Sequence, residues 1–203
     1  MHSWSVDFTQ ELVDIYQPKK HIIEPQIEFN QKSLRKDSIK SRWYSNKISI
    51  ELKRQYEVEN NFEYDFVMVY RFDHILQKDL IFSNYDPDNF YASHRDDCTP
   101  DSCKCVGNSR YYDAWFFSNS SNMDKFSSLY DSWEHYNIND PHKDCVHHIN
   151  VMGLSPKLKF MLYEKKDHFT VRSRIKNCEY KPEFDVNKLE FFDSHNFERH
   201  KWV

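Results

Sequence analysis

The sequence predicts one α/β domain of three layers, with a mostly parallel central sheet covered by helices on both faces. Three observations predict it. The segment Tyr64 to Asp73 has an apolar middle without polar alternation, the pattern of a strand buried on both faces. Helical and strand periodicities follow one another along the chain, which is the order of layered α/β domains. And 203 residues, 24.9 kDa, fit a single domain with its own core.

The elements follow in order. Phe8, Leu12 and Tyr16 fall at helical spacing over Asp7 to Tyr16, and Pro18 closes that helix. His21 to Ile23 reads as a short strand before Pro25. Ser45 can cap a helix with Ile48, Leu52 and Tyr56 on one face, fading from Glu57 to Asn61. After the strand at 64–73, a shorter one is expected over Asn89 to Ala92, then a polar, cysteine-containing loop at 93–110. Ala114 to Phe117 reads as another buried strand. Ser121 with Asp124 resembles a capping box for a helix whose stripe is Met123, Phe126, Leu129, Tyr130 and Trp133. Asp140 and Pro141 open a further helix as N-cap and first residue, and Gly153 stops it. Leu158 to Tyr163 and His168 to Arg172 complete the strands, and a charged tail begins near 178.

Composition narrows the function classes. Aromatics make up 17% of the chain while mean hydropathy is −0.88, so the apolar area sits in a few large rings. Net charge is −4 with an isoelectric point near 6.3, which argues against a nucleic-acid partner. No run approaches the roughly 20 apolar residues of a membrane span. The start Met1-His2-Ser3-Trp4 lacks a basic segment followed by an apolar run, and the five cysteines are odd in number. Both predict a cytoplasmic protein without a disulfide framework.

Several residues can carry chemistry. Arg71-Phe72-Asp73-His74 ends the buried strand, and ligands of open α/β sheets sit beyond the carboxyl ends of strands. A carboxylate there can hold a hard divalent cation that neutralises a diphosphate. Arg71, two residues earlier, shares its side of the strand and either pairs with Asp73 or meets a phosphate. The alternative is an ion pair that stabilises the sheet edge alone. Trp43, Tyr44, Tyr112 and Trp115 offer platforms for a base or sugar; Trp115 reads as core, Trp43 and Tyr44 as exposed. His94, Cys98, Cys103 and Cys105 place four soft ligands within twelve residues, enough to wrap a structural Zn²⁺, against the plainer reading of reduced surface thiols. On the helix from Pro141, Asp144 and His147 share one face, and Cys145, His148, Ile149 and Met152 share the core face.

Four segments together resemble GT-A-like glycosyltransferases, the WavE-like lipopolysaccharide enzymes and related viral and phage transferases. They are His2-Ser3-Trp4, Ser41-Arg42-Trp43-Tyr44-Ser45, Tyr64 to Asp73, and Asp113 to Asp124, within a span of about residues 2–172. The resemblance implies a GT-A-like fold, a nucleotide-sugar donor, a glycan or other hydroxyl acceptor, and Mn²⁺ or Mg²⁺. It gives Asp73 to the metal, with Arg71 standing where the paired acid of the family's motif would be. Arg71 and Tyr44 fall to the donor, and Asp113 matches an acidic position on the acceptor side, where a carboxylate can take the acceptor proton. A third metal ligand from a C-terminal histidine is implied, with His147, His148 and His168 as candidates and His147 the first choice. Relatives carry a strand and helix ahead of His2, so an inactive, transferase-like interaction protein stands as the alternative. A metal-dependent phosphodiesterase or nuclease built on Asp73 and Asp113 is the third reading.

Overall fold

The computed structural model describes residues 1–3, 9–29, 33–72, 74–94, 111–138, 140–163 and 167–170. Strand β1 (His2–Ser3) pairs in parallel with β2 (Ile22–Ile23), on either side of helix α1 (Thr9–Tyr16). Helix α2 (Leu34–Asn60) follows. Ser33 caps its start by accepting from the Lys36 N–H, and Asn61 ends it in the left-handed conformation, φ 52°.

α2 is longer than its apolar spacing predicts, and its buried residues are Ile39, Trp43, Asn46, Ile50, Leu52 and Glu57, so that of the expected Ile48, Leu52 and Tyr56 only Leu52 is among them. Two of those positions are polar, which hides the period from a reading based on apolar residues. Glu57 is acceptable inside because it is saturated. Its carboxylate accepts from the Tyr64 N–H at 3.0 Å and Ser120 Oγ at 2.7 Å, and pairs with Lys53 at 2.8 Å.

The main sheet has the order β3-β6-β5-β7, made of β3 (Val67–Tyr70), β6 (Tyr111–Ser118), β5 (Phe90–His94) and β7 (Leu158–Tyr163). The expected mostly parallel sheet is corrected to a mixed one. β6 pairs antiparallel with both β3 and β5, and β5 pairs in parallel with β7. Thus β3, β5 and β7 run the same way, and β6 is inserted between two of them in the opposite direction. Ser93 and His94, expected in the loop, extend β5. A further ribbon, β4 (His74–Leu76) with β8 (His168–Thr170), is antiparallel; β4 has too few residues to leave a pattern in the sequence.

The two faces are covered differently. On one, Val67, Val69, Phe90, Ala92 and Phe116 pack against α2, α3 (Ser120–Phe126), α4 (Leu129–Tyr136) and α5 (Pro141–Val151). On the other, Tyr91, Trp115 and Phe117 meet Phe66, Met68, Leu76, Phe82 and Met161, which belong to strands, the ribbon and a 3-10 turn at Phe82–Asn84. Among the described residues, the core cluster on the first face takes in side chains of α2 to α5, and the cluster on the second face holds none from an α-helix. Trp115, Phe116 and Phe117 are wholly buried, each stabilising the fold by roughly 2–3 kcal/mol through apolar area removed from water.

The predicted helix from Ser121 to Trp133 is two helices. Its N-cap is Asn119, which accepts from the Asn122 N–H, and Ser127–Ser128 interrupt it before α4. α5 matches its signals. The Asp140 side chain accepts from the His142 and Lys143 N–H groups, Pro141 takes the first position, and Gly153 follows at φ +71°.

Candidate functional site

The site forms where β6 departs from regular pairing. Between the partners Ala92↔Phe116 and Ser93↔Tyr112, β5 advances one residue while β6 advances four. Asp113, Ala114 and Trp115 bulge there, and such bulges re-aim side chains. Asp113 turns toward the helical face, with its side chain only 9% exposed.

Two other segments that carry the resemblance, and helix α5 outside them, meet at Asp113. From α2, Arg42 Nε lies 3.5 Å from Asp113 Oδ2, and Arg42 Nη2 donates to the Asp113 backbone carbonyl. From the end of β3, the pairing Tyr70↔Trp115 brings Arg71 alongside the bulge, and the Arg71 charge acts on both Arg42 and Asp113. From α5, His142 Nδ1 sits 3.1 Å from Asp113 Oδ1 and is placed to accept from the Asp113 backbone N–H at 3.2 Å. One ring nitrogen serves one of these at a time, and the ionised carboxylate is the stronger partner for an N–H.

Burial alone raises the Asp113 carboxyl. The His142 hydrogen bond and the Arg42 and Arg71 charges outweigh it and hold the group well below the usual carboxylate range. A carboxylate so engaged is a weak proton acceptor. In this geometry Asp113, the base expected from the resemblance, holds a guanidinium and an imidazole. His142 is the residue that sequence reasoning missed. The Asp140-Pro141-His142 start of α5 was legible, but only the register of β6 against α5 brings it to Asp113.

The other expected site residues lie elsewhere. Tyr44 is two residues from Arg42, about 200° around the helix. Its ring packs against His2 at 5.6 Å, Phe29 at 5.9 Å and Tyr130 at 5.5 Å. Trp43, expected at the surface, is 1% exposed and in the core. His147 packs edge-on against Tyr136 at 4.4 Å. Asp144 does not share an outer face with it: it is wholly buried and accepts the Trp133 indole N–H at 2.9 Å. His148 is a core residue, hydrogen-bonded to Tyr136 Oη at 2.6 Å and Ser128 Oγ at 3.2 Å. Buried His168 lies 2.6 Å from Ser93 Oγ.

Asp73 lies outside the described residues, as do Cys98, Cys103 and Cys105. His94, the first of that zinc constellation, is buried with its ring 5.7 Å from Phe160. Among the described residues no group of three His, Cys, Asp or Glu side chains could hold a metal ion. Buried Cys145 has a free thiol pushed upward by burial, so it is an inert core group. No described helix is long and apolar enough to cross a membrane.

A surface cleft of about 280 Å³ opens between α2 and the α3–α4 turn, away from Asp113. Across it Lys47 pairs with Asp131 at 2.7 Å and Arg54 with Asp124 at 3.2 Å.

Compared with known proteins, the chain matches no family model, and no curated protein matches it significantly.

Proposed function

We propose that this chain is a cytoplasmic glycosyltransferase of GT-A-like organisation, moving a sugar from a nucleotide-sugar donor to a hydroxyl of a glycan or similar acceptor. The observation that carries the reading is the convergence on one sheet end of Arg42, Arg71 and Asp113. These residues come from three separate segments that resemble the family, and they interact directly or through their charges. The two guanidinium groups bring positive charge to this end of the sheet, which suits a diphosphate leaving group. In this reading Arg71 meets the phosphates, the role its place at the end of the strand offers, while Arg42 holds Asp113. The divalent cation that the resemblance implies, Mn²⁺ or Mg²⁺, keeps Asp73 as its proposed holder. Since the described residues form no cation site by themselves, no step is routed through it.

The test is donor turnover. Purified protein is incubated with UDP-glucose, UDP-N-acetylglucosamine or GDP-mannose, with and without Mn²⁺, and release of nucleoside diphosphate is measured. The reading expects release from at least one donor and at least a tenfold loss in Arg71→Ala. No release from any donor counts against it.

A further inference from the structure

We propose that His142, held by Asp113, is the group that takes the proton from the attacking hydroxyl. This inference rests on the transferase reading and assigns its missing base. Nδ1 faces both Asp113 Oδ1 at 3.1 Å and the Asp113 backbone N–H at 3.2 Å; in the proposed tautomer Nδ1–H donates to the carboxylate and the lone pair is on Nε2, on the opposite edge of the ring. The side chain is 22% exposed, unlike the carboxylate behind it, so the imidazole has access to solvent that Asp113 lacks. Its plane is fixed as well: the Tyr112 ring stacks on it at 5.4 Å and 22°, and Tyr112 stacks in turn on His168 at 6.0 Å and 24°. The backbone N–H of His142 is anchored by Asp140 at 3.1 Å. A base oriented through one nitrogen by a buried carboxylate is the arrangement that fixes a tautomer and stabilises the imidazolium once formed.

The step balances. The acceptor O–H bond breaks and its proton goes to Nε2. The acceptor oxygen forms a bond to the anomeric carbon. The bond from that carbon to the diphosphate oxygen breaks, and its electron pair leaves with the nucleoside diphosphate. His142 then returns the proton to solvent. The charged and titratable groups around it are Asp113 and Tyr112 from β6, Arg42 from α2, Arg71 after β3 and His168 from β8 beyond Tyr112. Asp140, Lys143 and Asp144 lie on or beside its own helix.

The experiment measures nucleoside diphosphate release from the same three donors, with water as acceptor, across pH 5 to 9. It compares wild type, His142→Gln and Asp113→Asn, alongside calorimetric binding of UDP and GDP. His142→Gln is expected to bind nucleotide as wild type does, to lose about 100-fold or more in kcat with KM within threefold, and to lose the acid limb of the pH profile. Asp113→Asn, which acts through His142, is expected to lower kcat with KM within threefold. A His142→Gln variant with kcat within threefold of wild type and an unchanged acid limb overturns the assignment while leaving the transferase reading intact. Wild-type protein that neither binds nucleotide nor releases it from any donor overturns the transferase reading, and the assignment with it.

Discussion

Arg42 holds Asp113 at two points: its guanidinium forms an ion pair with the carboxylate at 3.5 Å and donates to the backbone carbonyl of the same residue. The pair ties the middle of α2 to the β6 bulge in a setting where both side chains are largely out of water, 14% and 9% exposed. Removing Arg42 takes the larger of two guanidinium charges from the buried Asp113 carboxylate and leaves it to His142 and Arg71. Arg42→Met is therefore expected to cost roughly 3–5 kcal/mol, read as a fall in the urea midpoint without a change in slope. The double variant Arg42→Met/Asp113→Leu is expected to recover part of that loss, because neither charge is then stranded. Additive losses in the double variant would contradict the coupling.

Glu57 is the second buried tie, joining α2 to Ser120 on α3 and to the chain at Tyr64. Burial raises its carboxyl, but the hydrogen bonds from Lys53, the Tyr64 N–H and Ser120 win, and it lies below its ordinary value. Such a group contributes stability that is present above its unfolded value, near pH 4.5, and is lost as pH falls through the folded one. Glu57→Ala is expected to cost about 3 kcal/mol at pH 7 and visibly less at pH 3. A loss independent of pH would show that the effect is packing alone.

Asp144 works in the opposite direction. Burial, with Asp140 adding to it, raises its carboxyl to about 6 against hydrogen bonds from Trp133 and Trp43. The folded chain thus binds this proton more tightly than the unfolded chain does. The stability it contributes is complete below about pH 4 and is lost as pH rises through about 6. Asp144→Asn keeps an acceptor for the Trp133 indole and carries no charge. It is expected to gain on the order of 2 kcal/mol at pH 7 and nothing at pH 4, measured by denaturant unfolding at the two pH values.

His148 opposes that trend. Burial lowers it to about 4 despite a hydrogen bond to the Lys125 backbone, so it is neutral in the folded chain. Its contribution is complete above pH 6.5 and falls away as pH drops toward 4. The imidazole Cε1 proton resonance should stay at its neutral position from pH 8 down to about 5. A midpoint near 6.5 would contradict the burial of this ring between Tyr136, Ser128 and Phe126.

What was legible in the sequence follows from which interactions are local. The start of α5 was, because Asp140, Pro141 and Gly153 act within a few residues of themselves. The apolar strands were, because Trp115, Phe116 and Phe117 announce burial by type. The reach of α2 was not, since its core stripe includes Asn46 and Glu57, whose acceptance depends on partners distant in the chain. The reversed direction of β6 was not, because strand composition carries no sign of orientation. For the same reason His142 escaped notice: its partner lies 29 residues earlier, joined to it only by the β6 bulge. Arg71 and Asp113 were both singled out from the sequence, and the antiparallel pairing of β3 with β6 brings them to one end of the sheet.

The measurement that tests the central claim most directly is calorimetric titration of UDP and GDP, with and without Mn²⁺, into wild type, Arg71→Ala and Asp73→Ala. The account predicts that one nucleotide binds, that Arg71→Ala weakens it at least tenfold, and that any enhancement by Mn²⁺ disappears in Asp73→Ala. No binding of either nucleotide under any of these conditions, or binding that Arg71→Ala leaves unchanged, would contradict a donor site at this end of the sheet.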